Sequence, residues 1–280
     1  GPDDYRCFVV PWPQAQLTYV TAFQGFPKAA AVVHHMVAFL APPEAAGTVM
    51  GWDAEEEGPG YTCFGGPAGD RPNMFPTLML GAWVPGTEGG VLPAGTGIEI
   101  PVGSLIILQM HYNVENGVAE DQSRIRFRLS ETAHKSVYAP WLKFDWTFGE
   151  MLIPKGQSSV IHEVEADPRS FFSLFVRNLN LTAGFDLHSA LFHMHRLGVS
   201  GSLDLVHENG TEVRLLTIET WDFDWQREYQ FTTPVPFRDG DALRLRCEFD
   251  NSAGASDVNW GEGTNEEMCV ADLLVSEVQN

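Results

Sequence analysis

Two histidines stand one residue apart in "LFHMHRLG" at 191–198, His193 and His195, inside an otherwise apolar stretch. On a strand, residues i and i+2 project from the same face, so this pair is set to hold one ion between two imidazoles. "VVHHMVAFL" at 32–40 is a different case. Adjacent strand residues face opposite ways, so His34 and His35 converge on one ion only where the strand twists or bulges. His111 follows the apolar run of "SLIILQMHYN" at 104–113, where burying an imidazole demands a partner or a metal. The three histidines of the first half could then form an N₃ site. His134, His162, His188 and His207 lie in polar or turn-like contexts and read as structural or surface residues. On a regular strand His188 has the wrong parity to join His193 and His195.

The elements that must carry these residues read as strands. Alternation outweighs helical periodicity, as in "RIRFRL" at 124–129 and "DALRLRCEF" at 241–249, which put polar and apolar side chains on opposite faces. "LDLVHE" and "TEVRLL" flank Asn209-Gly210, a pair that favours a type I′ hairpin turn. With 27 Gly and 18 Pro scattered along the chain, many short strands joined by turns are expected, hence an all-β chain built of sandwiches. The polar stretch "SETAHKSVYAP" at 130–140 reads as a boundary and a hinge, which gives two domains in tandem, 1–137 and 138–280. "DAEEEGPG" at 53–60 reads as a solvated acidic loop.

At 44% hydrophobic and 19% charged residues, the chain is globular and long enough to bury a core. Its net charge of −20 argues against nucleic-acid and anionic membrane-surface partners. The longest apolar run, 29–41, falls short of the roughly 20 residues of a bilayer span and carries two histidines, so no membrane insertion is expected. Gly1-Pro2 reads as a processing remnant, leaving room for a removed signal peptide. Of the four cysteines, Cys7 and Cys63 fall in the first half, Cys247 and Cys269 in the second, with no C-x-x-C spacing. They are either one disulfide per half or four buried thiols. Disulfides would imply a secreted or otherwise extracytoplasmic protein, periplasmic or of the secretory pathway. Asn180-Leu-Thr and Asn209-Gly-Thr match the glycosylation acceptor pattern.

Five motifs, "HHM", "LQMHYN", "FHMH", "CEFDNS" and "WGEGTNEEMC", occur in an order and spacing that resemble the copper type II, ascorbate-dependent monooxygenases, which include the dopamine β- and peptidylglycine α-hydroxylating enzymes. The resemblance covers almost the whole chain and is densest from about 143 to 275. It implies two β-sandwich, jelly-roll-like domains, each with one copper. By position, His34, His35 and His111 would hold the electron-transfer copper. His193, His195 and Met268 would hold the copper that binds oxygen and acts in catalysis. The resemblance also implies the pairs Cys7–Cys63 and Cys247–Cys269. The donor chemistry agrees, because imidazole suits both copper oxidation states while a thioether favours Cu(I), and zinc would not ask for Met268. A methionine is flexible, and a disulfide at its neighbour Cys269 would restrict it while contributing on the order of 3 kcal/mol.

The implied reaction is hydroxylation of an aliphatic C–H bond with O₂ as co-substrate and ascorbate as electron donor. The copper carries the hard chemistry, and no protein general base is nominated. Substrate recognition does not carry over. Peptide-amidating members keep an arginine where this chain has Leu191, and an asparagine and a tyrosine where it has Val270 and Asp272. A glycine-extended peptide is therefore not expected, and a small molecule is. Glu266, Glu267 and Asp272 flank Met268 and, if they line the site, would favour a cationic or neutral substrate; otherwise they form a solvated acidic loop. The competing reading is a copper-binding or sensing module that has kept the ligands without turnover. A zinc hydrolase on the first three histidines would leave the second set unexplained. Oligomeric state is not legible.

Overall fold

The computed structural model describes residues 3–69, 71, 77–85, 87, 89–115, 117–176, 178–223, 225–261, 263 and 265–278. Gly1-Pro2, read above as a processing remnant, lies outside them. The chain divides into two compact units, Gly1–Val137 and Tyr138–Asn280. Strand dominates both, as the alternating pattern requires, and no described helix is long and apolar enough to cross a membrane.

The first unit holds β1 (Asp3–Pro11), β2 (Thr18–Phe26), β3 (Val33–Ala41), α1 (Ala46–Ala54), β4 (Tyr61–Thr62), β5 (Leu78–Trp83), β6 (Gly90–Val91), β7 (Thr96–Ile100), β8 (Leu105–Asn113), β9 (Arg124–Ser130) and the start of β10 (His134–Trp141). One sheet has the order β4-β1-β8-β3-β5. In the other, β2 pairs with β6, β7 and β9. The two sheets meet closely: a Cβ added to Gly25 on β2 would come within 2.6 Å of Met36 on β3 and Trp83 on β5. Only glycine lets the layers approach that far. At the far end of the first sheet, α1 buries Val49 and Trp52 against Cys7, Cys63 and Tyr61. The apolar mass there fixes β1, the strand that later supplies two neighbours of His111.

The second unit holds β11 (Leu152–Ile153), β12 (Val160–Ala166), α2 (Arg169–Phe175), β13 (Phe185–His193), β14 (Gly198–Val206), β15 (Glu212–Ile218), β16 (Glu228–Phe237), β17 (Ala242–Phe249), β18 (Val258–Asn259) and β19 (Val270–Glu277). β13 lies between β16 and β19, and a second sheet runs β12-β17-β14-β15. Phe185, Leu187 and Phe192 of β13, Leu203 and Leu205 of β14, Leu243, Leu245 and Phe249 of β17 and Leu273 to Val275 of β19 are almost fully buried. Each such side chain contributes roughly 1.5–3 kcal/mol by leaving water.

Three local expectations need correction. The stretch 130–140 is not polar throughout: its second half is strand, with Ser136, Val137, Tyr138 and Ala139 buried, and His134 and Lys135 pair in parallel with Thr96 and Gly97; the division between the two units falls inside it, after Val137. The 203–216 hairpin forms, but its turn is not type I′. No described non-glycine residue has positive φ, so Asn209 does not adopt the left-handed conformation that this turn needs; Gly210 alone does, at φ 79°, after a turn closed by Gly210 N–H donating to His207 O. The acidic loop at 53–60 is partly tied down, since the Glu56 carboxylate accepts from Arg6 at 2.8 Å and from the Thr62 backbone N–H at 2.7 Å. Asn180 and Asn209 are both exposed.

Candidate metal centres

In the first unit the decisive local feature is an irregularity. Across β3 and β8, Val33 pairs with Tyr112 and His35 with His111, so His34 is an extra residue in the ladder. Such a bulge breaks the alternation that would send His34 and His35 to opposite faces. The three rings come together, with centroids 5.7 Å apart for His34 and His35, 4.7 Å for His34 and His111, and 4.8 Å for His35 and His111. One ring nitrogen from each lies within 4.8 Å of the others.

Nδ1 of His111 faces Nδ1 of His35 at 3.3 Å. Two imidazole nitrogens each about 2.0–2.1 Å from one shared ion at a tetrahedral angle would stand about 3.3 Å apart, so the donor set fits a bound metal. The opposite nitrogen of His111, Nε2, lies 2.9 Å from the Asp3 carboxylate. That bond assigns the proton to Nε2 and leaves Nδ1 with its lone pair toward the cluster. Tyr5 pairs with His111 across β1 and β8 and stacks on its ring at 4.0 Å and 12°. His111 is buried, and burial holds its pKa below the ordinary range, with Asp3 pulling the other way. The bond Cys7–Cys63 is formed, two residues along β1 from Tyr5.

In the second unit His193 is the last residue of β13, and His195 lies beyond it, before β14 begins at Gly198. The strand pleat therefore aims only the first of the pair. The imidazoles still meet, with centroids 5.0 Å apart and planes at 83°. What aims His195 is its bonding. Its Nδ1 lies 2.9 Å from the Glu266 carbonyl, its backbone N–H donates to the Glu267 carboxylate at 2.8 Å, and its carbonyl accepts from Trp221 Nε1 at 2.9 Å. His193 Nδ1 lies 2.7 Å from Gln226 Oε1. Burial pushes His193 down to about 4, the charge of His195 adding to it; burial lowers His195 too, against its carbonyl bonds.

Met268 is buried, with Glu267 before it and the disulfide-bonded Cys269 after it. His193 pairs with Val270 across β13 and β19, and beyond that pair the Glu267 carboxylate bonds to the backbone N–H groups of both His195 and Met268. Two imidazoles and a soft thioether fit copper better than zinc. His188 sits where β13 shifts register between Leu187 and Ser189, so the parity argument against it does not apply. It is buried and lies 2.8 Å from Ser276 Oγ.

The acidic trio read as flanking Met268 separates into three different environments. Glu267 cannot line a site open to substrate: it is 0% exposed, and its carboxylate accepts from backbone N–H groups. Burial raises its pKa to about 7, against the bonds it accepts from the Leu197, His195 and Met268 N–H groups. Glu266 is exposed and its carboxylate accepts from the Gly263 N–H at 2.9 Å. Asp272 does sit near the histidines, because Glu228, Leu191 and Asp272 form one row across β16, β13 and β19. Facing residues of neighbouring strands share a sheet face, so these three share it with His193, two residues further along β13.

Glu228 was not foreseen, nor were Gln226, Asp3 and Tyr5. Nothing in a local motif marks them: Asp3 and Tyr5 reach His111 from the neighbouring strand β1, Gln226 reaches His193 from the segment before β16, and Glu228 faces Leu191 across β13 and β16. Glu228 accepts from Ser189 Oγ at 2.5 Å and from Tyr138 OH at 3.1 Å. Burial raises its pKa, and burial together with Glu228 pushes Asp272 up to about 6.

Comparison with known proteins bears out the resemblance carried by the motifs. Residues 149–274 match the family model described as copper type II ascorbate-dependent monooxygenase, C-terminal domain. The chain is also similar to a Drosophila melanogaster protein named MOXD1 homolog 1, with 24% identity over 248 residues. That alignment covers 85% of this chain but 34% of the relative, so the chain spans about a third of the relative's length.

Proposed function

We propose that this chain, a relative of the copper type II ascorbate-dependent monooxygenases, hydroxylates an aliphatic C–H bond of a small molecule. It is read as two β-sandwich domains in tandem, 1–137 and 138–280, each with one copper. The first copper would be held by His34, His35 and His111, the second by His193, His195 and Met268. When bound, the two coppers supply oxygen activation and one-electron transfer, with O₂ as co-substrate and ascorbate as reductant. The observation that carries this reading is the convergence of His34, His35 and His111, because it lies in the half of the chain that the family model does not cover.

The protein's own contribution is positioning. Asp3 bonds to Nε2 of His111, opposite the nitrogen that faces His35, and Gln226 bonds to Nδ1 of His193, so each orients a ligand ring before metal arrives. Leu191, Asp272 and Glu228 form the substrate-side row. Leu191 offers an apolar contact where an amidating enzyme would hold a peptide carboxylate, and the flanking carboxylates favour a cationic or neutral substrate over an anion. Two disulfides support an extracytoplasmic location.

The test is metal content followed by oxygen uptake with ascorbate across a panel of amine and neutral substrates, with Met268→Ala as control. The reading expects two coppers per chain, substrate-dependent uptake lost in the variant, and a product heavier by one oxygen. Copper without turnover on any substrate would favour the binding or sensing module. Zinc in its place would overturn both.

A further inference from the structure

We infer that Glu267 is the positioning residue of the second centre: its buried carboxylate ties the turn that carries His195 to the segment that carries Met268. The inference rests on the reading of His193, His195 and Met268 as metal ligands.

The segments concerned lie outside the sheet ladders. β13 ends at His193, β14 begins at Gly198 and β19 begins at Val270, so His195, Leu197 and Met268 lie outside the named strands, and their N–H groups donate to a side chain. A buried N–H left unpaired is costly, and the two oxygens of one carboxyl group can accept from several N–H groups at once. Glu267 does this for both segments at once. Its Oε2 accepts from the His195 N–H at 2.8 Å and from the Met268 N–H at 3.4 Å, and its Oε1 from the Leu197 N–H at 2.5 Å.

The clamp is itself anchored. The Glu267 N–H donates to Asn259 O at 3.0 Å, and its carbonyl accepts from the Gly261 N–H at 3.1 Å. Four consecutive residues thereby divide the work at one centre. The carbonyl of Glu266 orients the His195 ring, the carboxylate of Glu267 fixes the His195 and Leu197 backbone, Met268 offers the thioether, and Cys269 is bonded to Cys247. A carboxylate that served stability alone would not need to join these two segments in particular, and one that faced substrate would not be fully buried.

The conservative variant is Glu267→Gln in the full chain, with Cu(I) alone as probe. One amide oxygen replaces a carboxylate oxygen, and the amide N–H₂ then confronts a backbone donor. Three readouts are needed: Cu(I) affinity by chelator competition, the Cu–S signal in X-ray absorption, and the apo thermal melt. Met268→Leu sets the level of complete sulfur loss. The expected result is about tenfold weaker binding of one Cu(I) and a diminished Cu–S signal, with the first-unit copper and a cooperative apo melt retained. Unchanged affinity and Cu–S signal would overturn the inference. So would loss of the melt and of both coppers together, in Glu267→Gln and equally in Glu267→Asp, since that reports a role in folding alone. A wild-type chain without any Cu–S signal would instead overturn the ligand assignment, and this inference with it.

Discussion

The two candidate centres solve one problem with different materials. In the first unit all three imidazoles come from paired strands of one sheet, and a bulge at His34 supplies the convergence. In the second, only His193 belongs to a strand; His195 and Met268 lie between strands and are gathered by hydrogen bonds and a disulfide. The ring partners differ as well. His111 leans on a carboxylate, Asp3, whereas His193 and His195 lean on uncharged carbonyl oxygens. A charged acceptor makes its imidazole a stronger donor to a metal, which favours the higher charge of Cu(II). Neutral acceptors and a thioether favour Cu(I). The first candidate centre is thus built into its sheet, and the second is assembled beyond the ends of its strands.

Breaking each disulfide separates stability from site integrity. Cys7–Cys63 closes 56 residues and Cys247–Cys269 closes 22. By loop entropy the first contributes about 4 kcal/mol and the second about 3 kcal/mol. Alanine at both cysteines of the first pair should give the larger fall in denaturation midpoint. Alanine at both cysteines of the second pair should give the larger loss of Cu–S signal, because Cys269 adjoins Met268. Denaturant titration and X-ray absorption on the two variants would check the crossing order; the same order in both measurements would erase the distinction between a scaffold site and an assembled one.

Acidic residues make the second contrast. Asp3 is exposed and bonded to an imidazole, while Asp272 faces Glu228 across Leu191 and is pushed up to about 6. A carboxylate with a raised folded pKa binds more protons when folded than when unfolded, so stability falls as pH rises from about 4 to 6 and levels off above. Asp272→Asn should remove that slope. The variant should exceed wild type by on the order of 2 kcal/mol at pH 7 and match it near pH 4. Thermal melts across this window decide it, and a constant difference at all pH values would show that the shift is not the cause.

What was legible in the sequence follows from what is local. Alternation in "DALRLRCEF" became β17, with every second residue buried, because the pleat is a property of the strand itself. The histidines and Met268 stand out in the sequence because metal binding would need those side chains. Their supports do not, since Asp3 and Gln226 stand 108 and 33 residues from the histidines they hold. Glu267 shows the limit from the other side: beside Glu266 in sequence, it reads as solvated charge, and only the three-dimensional turn reveals it as fully buried. A bulge at His34 is what the adjacent histidines require to share an ion, and the sequence does not reveal it, because register depends on the partner strand.

The smallest effects expected are those of single ring partners, and they probe the charge contrast directly. Asp3→Asn keeps an acceptor for His111 Nε2 but removes its charge. Cu(II) affinity of the first centre should fall about tenfold, with the reduction potential moving upward. Gln226→Glu is the converse change, adding charge behind His193. It should shift the second centre toward Cu(II) by no more than a similar factor, since burial opposes ionisation of the new carboxylate. Redox titration of each variant, followed at the copper that is altered, gives both signs. Shifts in the same direction would mean that ring-partner charge does not distinguish the two centres, and that the thioether alone does.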